Sequence, residues 1–125
     1  MPDAHSSDAP AFPAPAGSAR VLLTTAPPDS AGTIARTLVG ERLAACVTLL
    51  PGVRSVYRWK DALHDEPETV LLIKTTEDRL QNLSTRYEAL HPYDVPEILI
   101  LEPTGGSAAY LAWLEAQTVA ASEED

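Results

Sequence analysis

Apolar residues follow two different periods along this chain, one typical of helices and one typical of strands. Spacings of three and four residues recur between positions 31 and 43 and again between 80 and 90, which predicts two amphipathic helices. Short apolar runs and two-residue alternation occupy the segments around them. The pattern predicts strands near 20–26, 46–59, 68–75 and 97–102, helices near 29–44 and 77–90, and a short terminal helix around 110–114.

Polar residues and prolines mark the ends of the predicted helices. Asp29 or Ser30 is expected to cap the first helix, because a short side-chain oxygen accepts a free backbone N–H of the first turn. Thr75 and Asp78 have the spacing of a capping box, so we expect the second helix to begin beside them. Pro92 is expected to end that helix.

The predicted strand from Cys46 to Trp59 is long for a small domain. Its fourteen residues would reach roughly 46 Å, whereas a domain of this size is about 30 Å across. The strand must bend or project, and Pro51 with Gly52 predicts a bulge. Projecting backbone groups need a pairing partner, and we expect another copy of the chain. One face is expected to carry Val47, Leu49, Val53, Tyr57 and Trp59, followed by a polar hairpin turn over 60–67.

The predicted order is strand, helix, strand, strand, helix, strand and a final helix. This order predicts an α+β fold, a ferredoxin-like β-α-β-β-α-β sandwich with an extra C-terminal helix, in which both main helices cover one face of an antiparallel sheet. The strands at 70–73 and 98–101 are apolar on both faces. The second face of the sheet therefore also needs a cover, and self-association would supply it.

Length and composition indicate one domain with short tails. The chain has 125 residues, and we assign residues 19–118 to a single domain. Residues 1–18 and 119–125 are predicted to be disordered, because their small, proline-rich and acidic residues bury too little surface to offset chain entropy. The sequence shows no secretory signal and no apolar run that could span a membrane. Its single cysteine excludes an internal disulfide, and a cytoplasmic location is expected.

The charge balance argues against several classes of partner. The formal net charge is −9, and thirteen acidic residues stand against nine basic ones between positions 19 and 117. Such a field repels phosphate backbones and anionic lipid, so neither nucleic acid nor membrane is expected as a partner. The strands at 21–25 and 70–75 also lack the aromatic residues on which RNA-recognition domains stack bases. No catalytic motif is present, and we do not expect an enzyme.

An aromatic and basic cluster lies near the predicted hairpin tip. Tyr57, Arg58 and Trp59 would be exposed on a monomer, which is unusual for so much aromatic surface. They are expected either to anchor an interface or to line a ligand pocket. Lys74 follows an apolar strand and is expected to close an interface ion pair or to line a cleft.

Six segments of the sequence resemble, in order, the signature segments of CutA divalent-cation tolerance proteins: 43–47, 51–53, 55–59, 72–75, 91–97 and 110–114. The resemblance covers about residues 20–117. It implies a compact homotrimer of ferredoxin-like subunits that is similar in architecture to PII signalling proteins, with a role in tolerance of divalent cations, copper in particular. It also adds Tyr93 and Trp113 to the expected interface or cleft.

The chain departs from this family in two places. Some bacterial members carry a cysteine in the first strand, and the corresponding residue here is Thr24 or Thr25. The turn at 60–64 lacks the glycine often found there. The resemblance therefore implies copper binding without one of the family's thiol ligands.

Cys46, His91 and Glu97 are the candidate metal ligands. A thiolate and an imidazole favour copper or zinc over magnesium or calcium. His91 is expected to be held rigid between a helix end and a proline, and Glu97 follows six residues later. Each residue also has a structural alternative. Cys46 would pack as a small apolar side chain, His91 would bond free carbonyls at a helix end, and Glu97 would be a surface carboxylate.

Two functional hypotheses follow. The first is a metal-responsive homotrimer whose ligand is copper or a similar divalent cation. The second is a PII-like regulatory or scaffold trimer that binds a small molecule or a protein in the cleft between subunits. An enzyme ranks third, because the sequence contains no catalytic constellation.

Overall fold

The computed structural model describes residues 13–119, which form six strands and three α-helices. The helices are α1 (Pro28–Gly40), α2 (Leu80–Leu90), which follows a 3₁₀ turn at Glu77–Arg79, and α3 (Ala108–Gln117). The strands are β1 (Ala14–Pro15), β2 (Ala19–Ala26), β3 (Cys46–Trp59), β4 (Ala62–Thr76), β5 (Leu99–Leu101) and β6 (Gly105–Gly106).

The main sheet has four strands in the order β3-β4-β2-β5, and every neighbouring pair is antiparallel. Helices α1 and α2 contact each other and share one core with the sheet. We call the face they cover the core face. Its fully buried residues include Leu22, Leu71 and Ile73. The predicted ferredoxin-like fold with both helices on one face is confirmed.

The opposite face of the sheet, which we call the open face, is largely uncovered. It carries the side chains that alternate with the core residues, including Val21, Leu23 and Leu72. Leu99 and Leu101 of β5 pair with Leu23 and Val21 and remain 54% and 47% exposed. Helix α3 covers only the end beside Ala19 and Ala45, where Leu114, Tyr110 and Trp113 pack.

A bulge divides β3 into two parts that face opposite ways. Between Leu50 and Val53 the pairing advances three residues on β3 but two on β4. Gly52 provides the positive φ of 77° at this point. Because side chains alternate with a period of two, one extra residue exchanges the faces. Val47 and Leu49 therefore pair on the core face, while Val53, Tyr57 and Trp59 lie on the open face. The prediction that all five share one face is wrong.

The hairpin turn is much shorter than predicted. Trp59 pairs with Ala62, so only Lys60 and Asp61 connect the strands. Residues 62–67, predicted as a polar turn, belong to β4. They pair with β3 in an arm that reaches beyond the core. Lys60 and Asp61 have φ of 51° and 63°, the left-handed region that two-residue hairpin turns of this type require.

The predicted helix caps differ from the observed ones. Pro27 occupies the N-cap of α1 and Pro28 the first turn, where a missing N–H costs nothing. Asp29 and Ser30 lie inside that turn, and no side chain caps it. The helix ends at Gly40 and not at 44.

The proposed capping box does not form, because no side chain caps the 3₁₀ turn or α2. Thr75 Oγ1 donates a hydrogen bond to the Leu43 carbonyl (2.7 Å) in the buried core. The neighbouring Thr76 Oγ1 donates to Asp78 Oδ1 (2.7 Å). Thr76 Oγ1 also donates to Thr118 Oγ1 (3.1 Å) and is nearly as buried as Thr75, so both hydroxyls are used inside the fold and neither caps the helix.

The ordered region begins before residue 19. Ala14–Pro15 pairs with Gly105–Gly106 as a small second sheet, inside the segment predicted to be a tail. A Cβ on Gly105 would lie 2.6 Å from the Ala14 carbonyl oxygen, so glycine permits this close approach. The tail predictions for 1–12 and 120–125 lie outside the described residues. None of the helices within 13–119 combines the length and apolar character needed to cross a bilayer.

A buried hydrogen-bond network joins α2 to β2. The hydroxyls of Tyr87 and Thr24 lie 2.5 Å apart, and Tyr87 also donates to the Thr25 carbonyl (3.2 Å). Both side chains are fully buried. Burial raises the pKa of Tyr87 from 10.0 to about 12, although the hydrogen bond with Thr24 acts in the opposite direction. The neutral phenol is therefore the form that the fold stabilises.

We expect Tyr87→Phe to lower the free energy of unfolding at pH 7 by about 1–2 kcal/mol, because Thr24 loses its main partner. The raised pKa makes the phenol's contribution complete below pH 10 and lost as the pH rises toward 12. The deficit of the variant should therefore shrink over this range. Urea unfolding at matched protein concentration checks both points. A deficit that is constant from pH 7 to pH 12 would contradict the assignment.

We expect Asp61→Gly to stabilise the fold by about 0.5–1 kcal/mol, because glycine adopts the left-handed conformation without the strain of a Cβ. Urea unfolding measures the change. The control is Asp29→Gly in the first turn of α1, where φ is helical, and this substitution should be destabilising instead. Equal effects of the two substitutions would show that turn strain is not responsible.

Candidate functional site

A cavity of about 470 Å³ lies where the base of the β3–β4 arm meets the segment after α2. Its walls come from the open face of the arm, from the end of β2 and from residues 93–97. Carboxylates and aromatic rings dominate, and no Lys, Arg or His is among the described residues that line it: Thr25, Ser55, Val56, Tyr57, Trp59, Glu68, Tyr93, Asp94, Val95 and Glu97.

Glu68 is the most buried charged side chain of this cavity, with 3% of its surface exposed. The Tyr93 hydroxyl donates to its Oε2 (3.0 Å). None of the ion pairs within residues 13–119 includes it. The carboxylate is therefore removed from water with a hydrogen bond but without an opposite charge, an arrangement that favours a cation in the adjoining space.

Burial first and the nearby carboxylates second raise the pKa values of the tyrosines in the cavity. The pKa of Tyr93 is raised to about 12, first by burial and then by its hydrogen bond and proximity to Glu68. The pKa of Tyr57 is also raised, by burial and then by Glu66 and Glu68. The Tyr57 ring stacks on His64 across the arm, with centroids 5.1 Å apart. Both phenols therefore stay neutral to a higher pH than an ordinary tyrosine, whose pKa is 10.0.

His91 has a structural role in the subunit. Its Nε2–H donates to the Thr25 carbonyl (2.9 Å), and its Nδ1 accepts from the Tyr93 backbone N–H (3.1 Å). The ring is buried between Tyr87 and Tyr93, at centroid distances of 5.3 and 4.7 Å. Since both nitrogens are engaged, neither has a lone pair available for a metal ion. The imidazole instead fixes the start of the segment that closes the cavity.

Cys46 lies far from His91. It pairs with Lys74, which pairs with Val21, whereas His91 binds the carbonyl of Thr25. Four residues along β2 correspond to about 13 Å in the strand direction, and Cys46 also lies two strands, or about 10 Å, across the sheet from β2. Lys74 Nζ donates to Thr48 Oγ1 and lies 3.8 Å from Cys46 Sγ, on the open face.

The three predicted metal ligands do not form one site within the subunit. Glu97 lines the cavity, His91 lies behind it, and Cys46 lies at the other end of the sheet. Within residues 13–119, no group of three or more His, Cys, Asp or Glu side chains is placed to hold a metal ion. The donor set of one subunit therefore does not fit a bound copper or zinc ion.

The residues predicted for an interface or cleft divide into three groups. Tyr57, Trp59 and Tyr93 meet at the cavity. Arg58 alternates with them and points to the opposite face of the arm. Lys74 and Trp113 lie at the end of the sheet covered by α3, where Trp113 packs near Tyr110 with ring centroids 5.5 Å apart.

Sequence reasoning missed Glu68, Ser55 and Asp94. Glu68 adjoins a segment predicted as a solvated turn, so its burial could not be anticipated. The pairing register could have identified Glu68 from the sequence. A two-residue turn places Glu68 opposite Val53 and close to the aromatic residues of β3.

Comparison with known proteins gives a consistent result. A family model described as CutA1 divalent ion tolerance protein matches residues 20–117. The divalent-cation tolerance protein CutA from Thermus thermophilus is 47% identical over 98 residues, covering 78% of this chain and 95% of that protein.

Two solved structures illustrate the structural likeness. The PII-like protein CutA from Nostoc sp. PCC 7120, in apo form, has a TM-score of 0.77 at 34% identity, covering 81% of this chain and 98% of that one. CutA from Synechococcus elongatus, complexed with a Bis-Tris molecule, has a TM-score of 0.77 at 37% identity, covering 84% and 98% of the two chains.

We expect His91→Gln to leave copper and zinc binding unchanged, because both ring nitrogens are used inside the fold. The same variant should lower the free energy of unfolding by about 1–3 kcal/mol through the lost hydrogen bonds. Calorimetric titration of both metals into wild type and variant, with assembly verified for each, makes the comparison. Loss of metal binding by a correctly assembled variant would assign His91 to a metal site.

Proposed function

The chain belongs to the CutA1 divalent ion tolerance family, and from this membership we propose that it forms a homotrimer and catalyses no reaction. We propose that this homotrimer contributes to tolerance of divalent cations, copper in particular. We place it in the cytoplasm. The family is the one that the signature segments predicted. The trimer, the copper ion and the location are proposals that rest on the arguments below.

The observation that carries the trimer proposal is the open face. Leu99 and Leu101 expose about half of their surface beside Leu23 and Val21. A contiguous apolar sheet face of this kind is stabilised when a copy of the same chain covers it. The long arm supports the same proposal, because it extends paired backbone and the exposed residues Val56 and Leu63 beyond the core. The number three comes from the resemblance to the family.

We place the proposed cation between subunits. One subunit holds no three-donor group within the described residues, so donors from several copies are required. Cys46 suits this role better than His91, because it lies on the open face and a thiolate is a preferred ligand of copper. Cys46→Ser should then weaken copper binding about tenfold or more without dissociating the trimer. Unchanged binding would remove the thiol from the proposal.

The cavity favours a second candidate function, a PII-like trimer that binds a small molecule. The supporting observation is a concave site of about 470 Å³, a volume typical of small-molecule pockets. The relative solved with Bis-Tris is consistent with small-molecule binding in such a family member. In this candidate the cavity of each subunit opens into the cleft toward a neighbouring copy.

We expect wild type to be a trimer by light scattering and native mass spectrometry at micromolar concentration. Leu101→Asp and Trp59→Asp should each weaken assembly at least about tenfold, because a charge enters a desolvated apolar contact.

Val39→Asp is the matched control. Val39 is an exposed apolar residue of α1, a helix on the core-face side, so its substitution should leave the trimer intact. A wild-type monomer, or dissociation of all three variants alike, would contradict the proposed use of the open face.

A further inference from the structure

We propose that the cavity between the arm and residues 93–97 binds an organic ammonium ion, a positively charged amine carried on a small apolar body. This inference deepens the second candidate function and rests on it. It names the chemical class of ligand that the residues lining the cavity favour.

The charge of the lining determines the sign of the ligand. Glu68, Asp94 and Glu97 contribute three carboxylates, and none of the lining residues is basic. Glu68 is buried whereas Asp94 and Glu97 are exposed, so an anion would be repelled chiefly by Glu68, and a neutral ligand would leave Glu68 without an opposite charge. A cation is the ligand that this field attracts.

The burial of Glu68 strengthens the argument from charge. Its side chain is 3% exposed, its only hydrogen bond in the described structure comes from Tyr93, and it forms no ion pair there. A carboxylate removed from water is stabilised by a nearby positive charge. The described protein supplies none beside it, and the cavity is the space from which one can approach.

The spacing of the carboxylates distinguishes an organic cation from a metal ion. They line one cavity, yet they form no three-donor group that could hold a metal. An ammonium ion spreads its charge over a larger volume and needs no coordination sphere of fixed geometry. Its carbon substituents pack against aromatic rings, which attract cations through their faces.

The aromatic residues of the cavity also favour an organic cation. Tyr57, Trp59 and Tyr93 line the cavity, and the chain's own Lys60 already places its ammonium 5.9 Å from the Trp59 ring centroid. The combination of aromatic rings with a buried carboxylate is the chemistry that recognises amines.

The test compares choline with 3,3-dimethyl-1-butanol, a neutral molecule of the same shape, by calorimetric titration into the full-length assembled protein. We expect choline or the primary amine n-butylammonium to bind at least about tenfold more tightly than the neutral alcohol. Equal binding of cation and alcohol, or no binding of either ammonium ion at millimolar concentration, would overturn the proposal.

Glu68→Gln and Glu97→Gln identify the carboxylates involved. Each should weaken ammonium binding about tenfold and leave binding of the alcohol unchanged, because the amide keeps the shape and removes the charge. Glu88→Gln, on the exposed surface of α2, makes the same change in net charge away from the cavity and should bind like wild type. Equal weakening by all three variants would assign the effect to net charge and reject the site.

Light scattering on the same samples separates this inference from the proposed assembly. An intact trimer that binds no ammonium ion rejects the ligand and leaves the trimer standing. A protein that binds choline through Glu68 but is monomeric supports the ligand and rejects the trimer.

Discussion

The pairing register between β3 and β4 is the constraint on which the rest of the structure depends. A strand alternates its side chains with a period of two, so one additional residue at the bulge between Leu50 and Val53 reverses every later position. Before the bulge, Val47 and Leu49 face the helices and complete the core. After it, Tyr57 faces the other way, toward Glu68 and the cavity. A single insertion thus lets one strand serve both the core and the candidate site.

The two main helices cover one face of the sheet and leave most of the other face exposed. Helices α1 and α2 bury Leu22, Leu71 and Ile73, while only α3 covers part of the second face. The exposed β5 leucines and the projecting arm are difficult to reconcile with a lone subunit in water. The proposed self-association and the cavity therefore concern the same side of the sheet.

Hydrogen bonding gives His91 a structural role in place of the predicted metal-binding one. His91 resembled a metal ligand, but its two nitrogens hold Thr25 and Tyr93 in place. By doing so it positions Tyr93 to bond Glu68. The predicted ligand thus acts as a support for the cavity wall, and a carboxylate that the sequence did not single out becomes its electrostatic centre.

The sequence by itself determined the order of the main strands and helices, the ferredoxin-like sandwich and the family, and it predicted that a second sheet face is apolar. These features follow from local periodicity and from spaced signature segments, both of which can be read directly from the sequence. The tertiary structure decided which threonine bonds the Leu43 carbonyl, where Tyr57 and Trp59 point, and that Cys46 and His91 lie apart. These depend on strand register and on burial, because one extra residue in a bulge or one buried hydrogen bond reverses an outcome that local pattern leaves open.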